Sequence, residues 1–322
     1  MSGFDNDLYA DVERVPQDDG PNPVVVIDYN PQFVRLMDLF RGLLRRGELS
    51  ERALALTEEL LAENASNYTV WQYRRECLRF LGSDLTKELE YMNSFAHSNP
   101  KNYQIWHHRR AVVQDSGNCD SEFDFTREVF VVDPKNYHAW AHRQWACKTY
   151  GVWMHELPLV QELLAQDVRN NSAWNHRWFV VHKGEVGSAT ALSEAECLAE
   201  VEFCFAQLDA AKRNESPWNY LRGLVRRYPH LPSVRLAALE GTRALVNSTE
   251  GGNPHAVAAL AELVEDRDQE EGEEAAKRAR EEAIGWLTLL VSIDGIRAKA
   301  WLRKIQEKQQ QQQQQQAKQA QA

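Results

Sequence analysis

With 322 residues, 43% apolar side chains and ten tryptophans, the chain can fill one large core or two ordinary ones. Its net charge of −10 argues against a general nucleic-acid surface, because phosphate recognition starts from an excess of Lys and Arg over the footprint. The five cysteines are scattered and lack any C-x-x-C pair, so neither a disulfide framework nor a structural zinc site is indicated. No signal-peptide pattern and no apolar run near ~18 residues occurs, which predicts a cytoplasmic protein with no transmembrane segment and no nucleic-acid partner.

In chain order, residues 1–30 carry Pro16, Pro21 and Pro23 around an Asp-Asp-Gly turn, then the run Val24 to Ile27. This predicts an extended N-terminal arm. Residues 33–62 have helical periodicity and predict a capping hairpin. Next comes an internal repeat. Trp71, Trp106, Trp140, Trp174 and Trp218 lie 35, 34, 34 and 44 residues apart, which is solenoid spacing. Four residues before each stands Asn (Asn67, Asn102, Asn136, Asn170, Asn214), and three after the first four stands Arg (Arg74, Arg109, Arg143, Arg177). Such offsets share one helical face, so each unit reads as the first helix of an α-α hairpin, with Pro100 and Pro134 in first helical turns. Apolar periodicity at 85–95, 123–132, 157–164 and 194–208 supplies the second helices. The long last interval, from Trp174 to Trp218, contains a Gly-containing loop at 183–193. Beyond Pro232 the repeat decays into apolar helices separated by 247–254 and by the charged stretch 265–282. A last apolar helix at 284–305 precedes a disordered Gln-rich tail. The expected fold is all-α, a hairpin solenoid coiled as a right-handed, tetratricopeptide-like crescent. Its parts are the arm 1–30, a repeat domain 31–308 and the tail 309–322.

The variable repeat positions carry the chemistry. One residue ahead of the Asn stand Ser66, Lys101, Lys135, Arg169 and Arg213; one after it stand Tyr68, Tyr103, Tyr137, Asn171 and Glu215. Stacking brings equivalent positions close, so lysines at positive helix ends make a local anion-binding edge on an acidic protein. Tyr103, Gln104, Tyr137 and His138 add donors there, and a solvated basic edge with no ligand is the competing reading. The Trp and Arg columns read as structural, and His108, His142 and His176 as half-buried spacers. His138 and His142 have the i, i+4 spacing of a metal pair but lack a third ligand, so no metal is expected on this chain. No self-sufficient active site emerges; a partner would supply most of the chemistry.

The stretches NYTVWQYRR (67–75), NPKNYQIWHHRR (99–110), KNYHAWAHRQW (135–145) and DVRNNSAWNHR (167–177) resemble the α-subunit repeats of the protein prenyltransferases. VPQDDGPNPVV (15–25) resembles the segment before the first helix in α subunits of the farnesyl and type I geranylgeranyl enzymes. The resemblance covers about residues 9–230 and weakens beyond. It implies a crescent wrapped around a β subunit that carries Zn2+, in an enzyme transferring a prenyl group from its diphosphate to the cysteine of a CaaX-terminated protein, with Mg2+ accompanying the diphosphate and no cofactor bound by this chain alone. By motif position it implies that Lys101 contacts the diphosphate and Gln104 the peptide's terminal carboxylate. Tyr137 and His138 would line the diphosphate side, Tyr68 the peptide and product groove, with Tyr103 and Asn136 adjacent. The α subunit of Rab geranylgeranyltransferase and a non-catalytic tetratricopeptide-like scaffold share the repeat length and remain alternatives.

Overall fold

The computed structural model describes residues 6–182, 192–265 and 273–319. Among them are fifteen α-helices, one short 3-10 turn and no strand, as the repeat predicts. They divide into two compact units, 1–151 and 152–322. The first contains α1 (Pro31–Arg46), α2 (Glu51–Glu63), α3 (Tyr68–Leu81), α4 (Leu85–Ser98), α5 (Tyr103–Ser116), α6 (Asp120–Val132) and α7 (Tyr137–Tyr150). The second contains α8 (Glu156–Gln166), α9 (Asn171–Val181), α10 (Glu194–Ala210), α11 (Glu215–Arg227), α12 (Pro232–Ser248), α13 (Pro254–Glu265), α14 (Glu273–Ile293) and α15 (Ala298–Gln319). Most of the loop expected at 183–193 and part of the charged stretch at 265–282 lie outside the described residues.

The hairpins have the opposite phase to that expected. Each Trp-bearing helix packs chiefly on the helix before it, α3 on α2, α5 on α4, α7 on α6, α9 on α8 and α11 on α10. A staple closes each helix entrance. The indole N–H of Trp71, Trp106, Trp140, Trp174 and Trp218 donates to the carbonyl six residues back, on Ala65, Pro100, Pro134, Val168 and Lys212. Pro100 and Pro134 therefore sit in the entering turn, not in the helix. The Asn column caps the helices: Asn67, Asn102, Asn136, Asn170 and Asn214 each accept a first-turn backbone N–H. Asn253 does the same for α13, so the repeat continues one hairpin further than the tryptophans show.

The Arg column is buried in each unit and pairs with carboxylates, as its structural reading anticipates. Arg109, 1% exposed, donates through Nε and Nη2 to both oxygens of Glu122, each at 2.7 Å. Glu122 in turn accepts from Nε2 of His142 at 2.6 Å. Arg74, Glu88 and His108 repeat this arrangement one hairpin earlier; in the second unit Arg177 and Glu200 repeat it with Tyr220 as the third member. Burial lowers the affinity of His108 and His142 for a proton more than their glutamates raise it, so both are neutral donors. Nδ1 of His108 faces an Arg75 guanidinium at 3.3 Å, which suits an acceptor nitrogen. These histidines are buried network members, not half-buried spacers.

One donor in this network has no partner. Nη1 of Arg74 reaches the Thr57 hydroxyl at 3.0 Å, and that of Arg143 reaches the Thr126 hydroxyl at 2.7 Å, each threonine standing 17 residues earlier. Arg177 Nη1 is buried and unpaired, and residue 160, 17 residues before it (177 − 160 = 17), is the fully buried Val160. Val160→Thr is expected to supply the missing acceptor at nearly constant volume, stabilising the protein by about 1 kcal/mol. Thermal unfolding should then move up by about 2–4 °C. A fall would show that the site has no room for the bond.

At the ends, residues 13–30 have no helix or strand, and the backbone of Val15 is held by Asp38 and Arg41 of α1. The apolar helix expected at 284–305 is two helices, broken at Asp294 to Arg297, where the Asp294 carboxylate accepts from the Trp301 indole at 2.9 Å. α15 runs on to Gln319, so the glutamine tract carries helix where an unstructured tail is expected. Gln is a good helix former, and extending an existing helix avoids the nucleation cost.

Candidate site at the helix entrances of the first unit

Tyr68, Tyr103 and Tyr137 are the first residues of α3, α5 and α7, and all three rings are about 70% exposed. Each stands directly after an asparagine cap, so the cap that starts the helix also turns the ring outward. Lys101, in the turn before the α5 cap, is exposed. It stands just ahead of the α5 N-terminus, where helix dipole and charge add for an anion.

His138 joins the α5 and α7 entrances. Its ring meets the Tyr103 ring edge to face with centroids 4.4 Å apart, lies near that of Tyr137 at 5.4 Å and stacks over the Trp106 indole at 6.2 Å. Burial lowers its proton affinity and a hydrogen bond to the Lys101 backbone raises it, with a net lowering. His138 is therefore a neutral hydrogen-bonding group. Gln104, at the second position of α5, is half-buried, and its side-chain amide is free to bind. Lys101, Tyr103, Gln104, Tyr137 and His138 thus occupy neighbouring helix entrances. Tyr68 stands one repeat away, and in its turn the Ser66 hydroxyl accepts from Asn102 Nδ2 at 3.1 Å.

Asn136 is the correction. It is 2% exposed, with Oδ1 bonded to the Ala139 N–H and Nδ2 donating to the Pro100 carbonyl, so it cannot face a substrate. Nor do His138 and His142 form a metal pair: His142 is buried on Glu122 while His138 stays at the rim. Among the described residues no group of three His, Cys, Asp or Glu side chains could hold a metal ion.

A family model described as the protein prenyltransferase alpha subunit repeat matches residues 50–81, 85–116, 119–150, 153–184 and 197–228. The first three of these segments are α2 with α3, α4 with α5, and α6 with α7, the same hairpin phase that the packing shows. Over 91 residues, 28% of this chain and 27% of the relative, the sequence is 50% identical to a protein farnesyltransferase/geranylgeranyltransferase type-1 subunit alpha from Pisum sativum. Over 82 residues, 26% of each, it is 45% identical to the protein of the same name from Dictyostelium discoideum. The aligned stretch spans about a quarter of the length of these relatives. The fold is similar to a chain of the Candida albicans protein geranylgeranyltransferase-I complexed with GGPP, with a TM-score of 0.77 and 27% identity over 96% of this chain and 100% of that one. With five matched segments between residues 50 and 228 and a similar fold over nearly its whole length, the chain belongs to the protein prenyltransferase α-subunit repeat family.

Proposed function

We propose that this chain is the α subunit of a heterodimeric protein prenyltransferase, which transfers farnesyl or geranylgeranyl from its diphosphate to the cysteine of a C-terminal CaaX motif. The observation that carries the reading is the rim of the first unit: an ammonium, two phenols, a neutral imidazole and a free amide gathered at positive helix ends of a chain with net charge −10. Such a group suits a polyanion next to a peptide terminus. Lys101 would neutralise charge on the leaving diphosphate, with Tyr137 and His138 as neutral donors beside it and Mg2+ as its counter-ion. Tyr68 and Tyr103 present rings to the peptide and product. The Zn2+ that would hold the acceptor cysteine as thiolate belongs, on this reading, to the β subunit. No helix among the described residues is long and apolar enough to cross a membrane, and the cytoplasm is the proposed compartment.

Co-expression with a family β subunit tests the assignment: transfer to a CaaX peptide should require both chains, and transfer by this chain alone would overturn it. Gln104 is read as the donor to the peptide's terminal carboxylate. Gln104→Ala should raise the KM for a free-acid peptide about tenfold, the size of a lost bond to a charged group, and leave prenyl diphosphate affinity unchanged. A C-terminally amidated peptide should lose less. Equal losses for the two peptides would remove Gln104 from that contact.

A further inference from the structure

The turn that carries Lys101 is held by side chains on both sides of it. The Pro100 carbonyl accepts two hydrogen bonds, from the Trp106 indole at 3.1 Å and from Asn136 Nδ2 at 3.2 Å. Asn102, on the other side, is tied to the Ser66 hydroxyl. Asn136 reaches across from the next repeat to the peptide unit that leads into Lys101, beside the bond that His138 makes to the Lys101 backbone itself, and both ends of the Asn136 amide are engaged. The second unit uses the same device: Asn214 donates to the Val168 carbonyl at 2.7 Å and Asn253 to the Lys212 carbonyl at 2.6 Å. The staple is thus part of the repeat, and at Asn136 the turn it fixes is the one presenting the lysine assigned to the diphosphate.

We infer that Asn136 is a positioning residue for Lys101: its Nδ2 bond to the Pro100 carbonyl fixes the turn from which the ammonium meets the leaving diphosphate. The inference rests on the proposed role of Lys101. Its physical basis is that a charge placed for a transition state contributes fully only when its backbone does not move away as charge develops. An unfixed turn lets the long lysine stem swing into water, where the ammonium is well solvated and contributes less to the reaction.

The test is a double-mutant cycle in single turnover on the reconstituted heterodimer. Asn136→Ser keeps an oxygen able to cap α7 and removes the Nδ2 donor. With Lys101 present it should slow the chemical step about tenfold. In a Lys101→Ala background it should slow it less than about twofold, because the group it positions is gone. Prenyl diphosphate affinity should hold, and Asn214→Ser, which breaks the same staple elsewhere, should leave the step within about twofold. Equal slowing in both backgrounds, or no slowing with Lys101 present, would overturn the inference while leaving the role of Lys101 intact. A Lys101→Ala enzyme as fast as wild type would instead overturn that role and the inference with it. If the serine variant does not assemble, Asn136→Asp, which keeps the cap and sets an acceptor against the Pro100 carbonyl, is read in the same cycle.

Discussion

Glu122→Ala is expected to cost about 3–5 kcal/mol of folding stability, the range for removing one partner of a buried ion pair. The carboxylate is 1% exposed and takes both forks of Arg109 together with the His142 imidazole. Its removal strands a guanidinium that is itself 1% exposed, with only Asn93 and the Leu89 carbonyl left to it. The comparison is Glu307→Ala, which breaks the Arg303 pair whose side chains are 81% and 52% exposed, and should cost under about 1 kcal/mol. Urea unfolding measures both. A loss below about 1 kcal/mol for Glu122→Ala would mean that the network is not what ties α5, α6 and α7 together.

The same groups set the acid limit of the fold. Burial alone would raise the Glu122 carboxyl, but the bonds from His142 and Arg109 outweigh it and bring it down to about 2, and Glu88 behaves likewise. A carboxylate that titrates near 2 in the fold and at 4.5 when unfolded contributes stability that is complete above 4.5 and is lost as pH falls towards 2. His108 and His142 are held below their ordinary 6.5, so the unfolded chain takes up their protons first and stability starts to fall once pH drops below 6.5. The decline is therefore shallow from 6.5 and steeper below 4.5. Replacing Glu122 by Gln should flatten the lower limb, since one proton fewer is taken up on unfolding.

How far the sequence discloses all this depends on whether a contact has a fixed spacing. The Trp and Asn columns recur almost evenly, so the hairpins and the helix entrances are legible, and with them the placement of Lys101, Tyr103, Gln104, Tyr137 and His138. Hairpin phase is not legible, because periodicity tells which residues are equivalent and not which neighbouring helix each one packs on. The separation from Arg to its glutamate is 14 for Arg74, 13 for Arg109 and 23 for Arg177, so no regular pattern announces those pairs. The glutamate does lie 20 residues before its other partner each time, at His108, His142, His176 and Tyr220. An acid at constant distance before a recurring histidine was the available signal for the network. Asn253 stayed hidden because Val257 stands where its repeat would carry Trp. Asn136 was misplaced at the substrate because adjacency to Tyr137 in sequence says nothing of the opposite directions in which a cap and a first-turn side chain point.

If Lys101 faces the diphosphate as proposed, Lys101→Ala is expected to slow the chemical step by about 10² to 10³, the range for losing one donor aimed at developing transition-state charge. As the bond from C1 of the prenyl group to the bridging oxygen breaks, negative charge builds on the diphosphate, and a fixed ammonium there gains more in the transition state than in the ground state. On the proposed reading, prenyl diphosphate binding should change less than the rate, because the lost interaction strengthens mainly as charge develops. Single-turnover kinetics of the heterodimer at saturating substrates is the measurement needed, since slow product release can mask a slowed chemical step in steady state. Lys135→Ala serves as the comparison: the lysine occupies the equivalent repeat position and is also exposed, but its turn enters α7, ahead of Tyr137 and His138. Its loss should alter the rate by no more than the few-fold expected of a screened surface charge. Equal losses for the two lysines would reduce Lys101 to one member of a diffuse basic edge. A Lys101→Ala enzyme with unchanged turnover and weakened diphosphate binding would move its contribution from the transition state to the ground state.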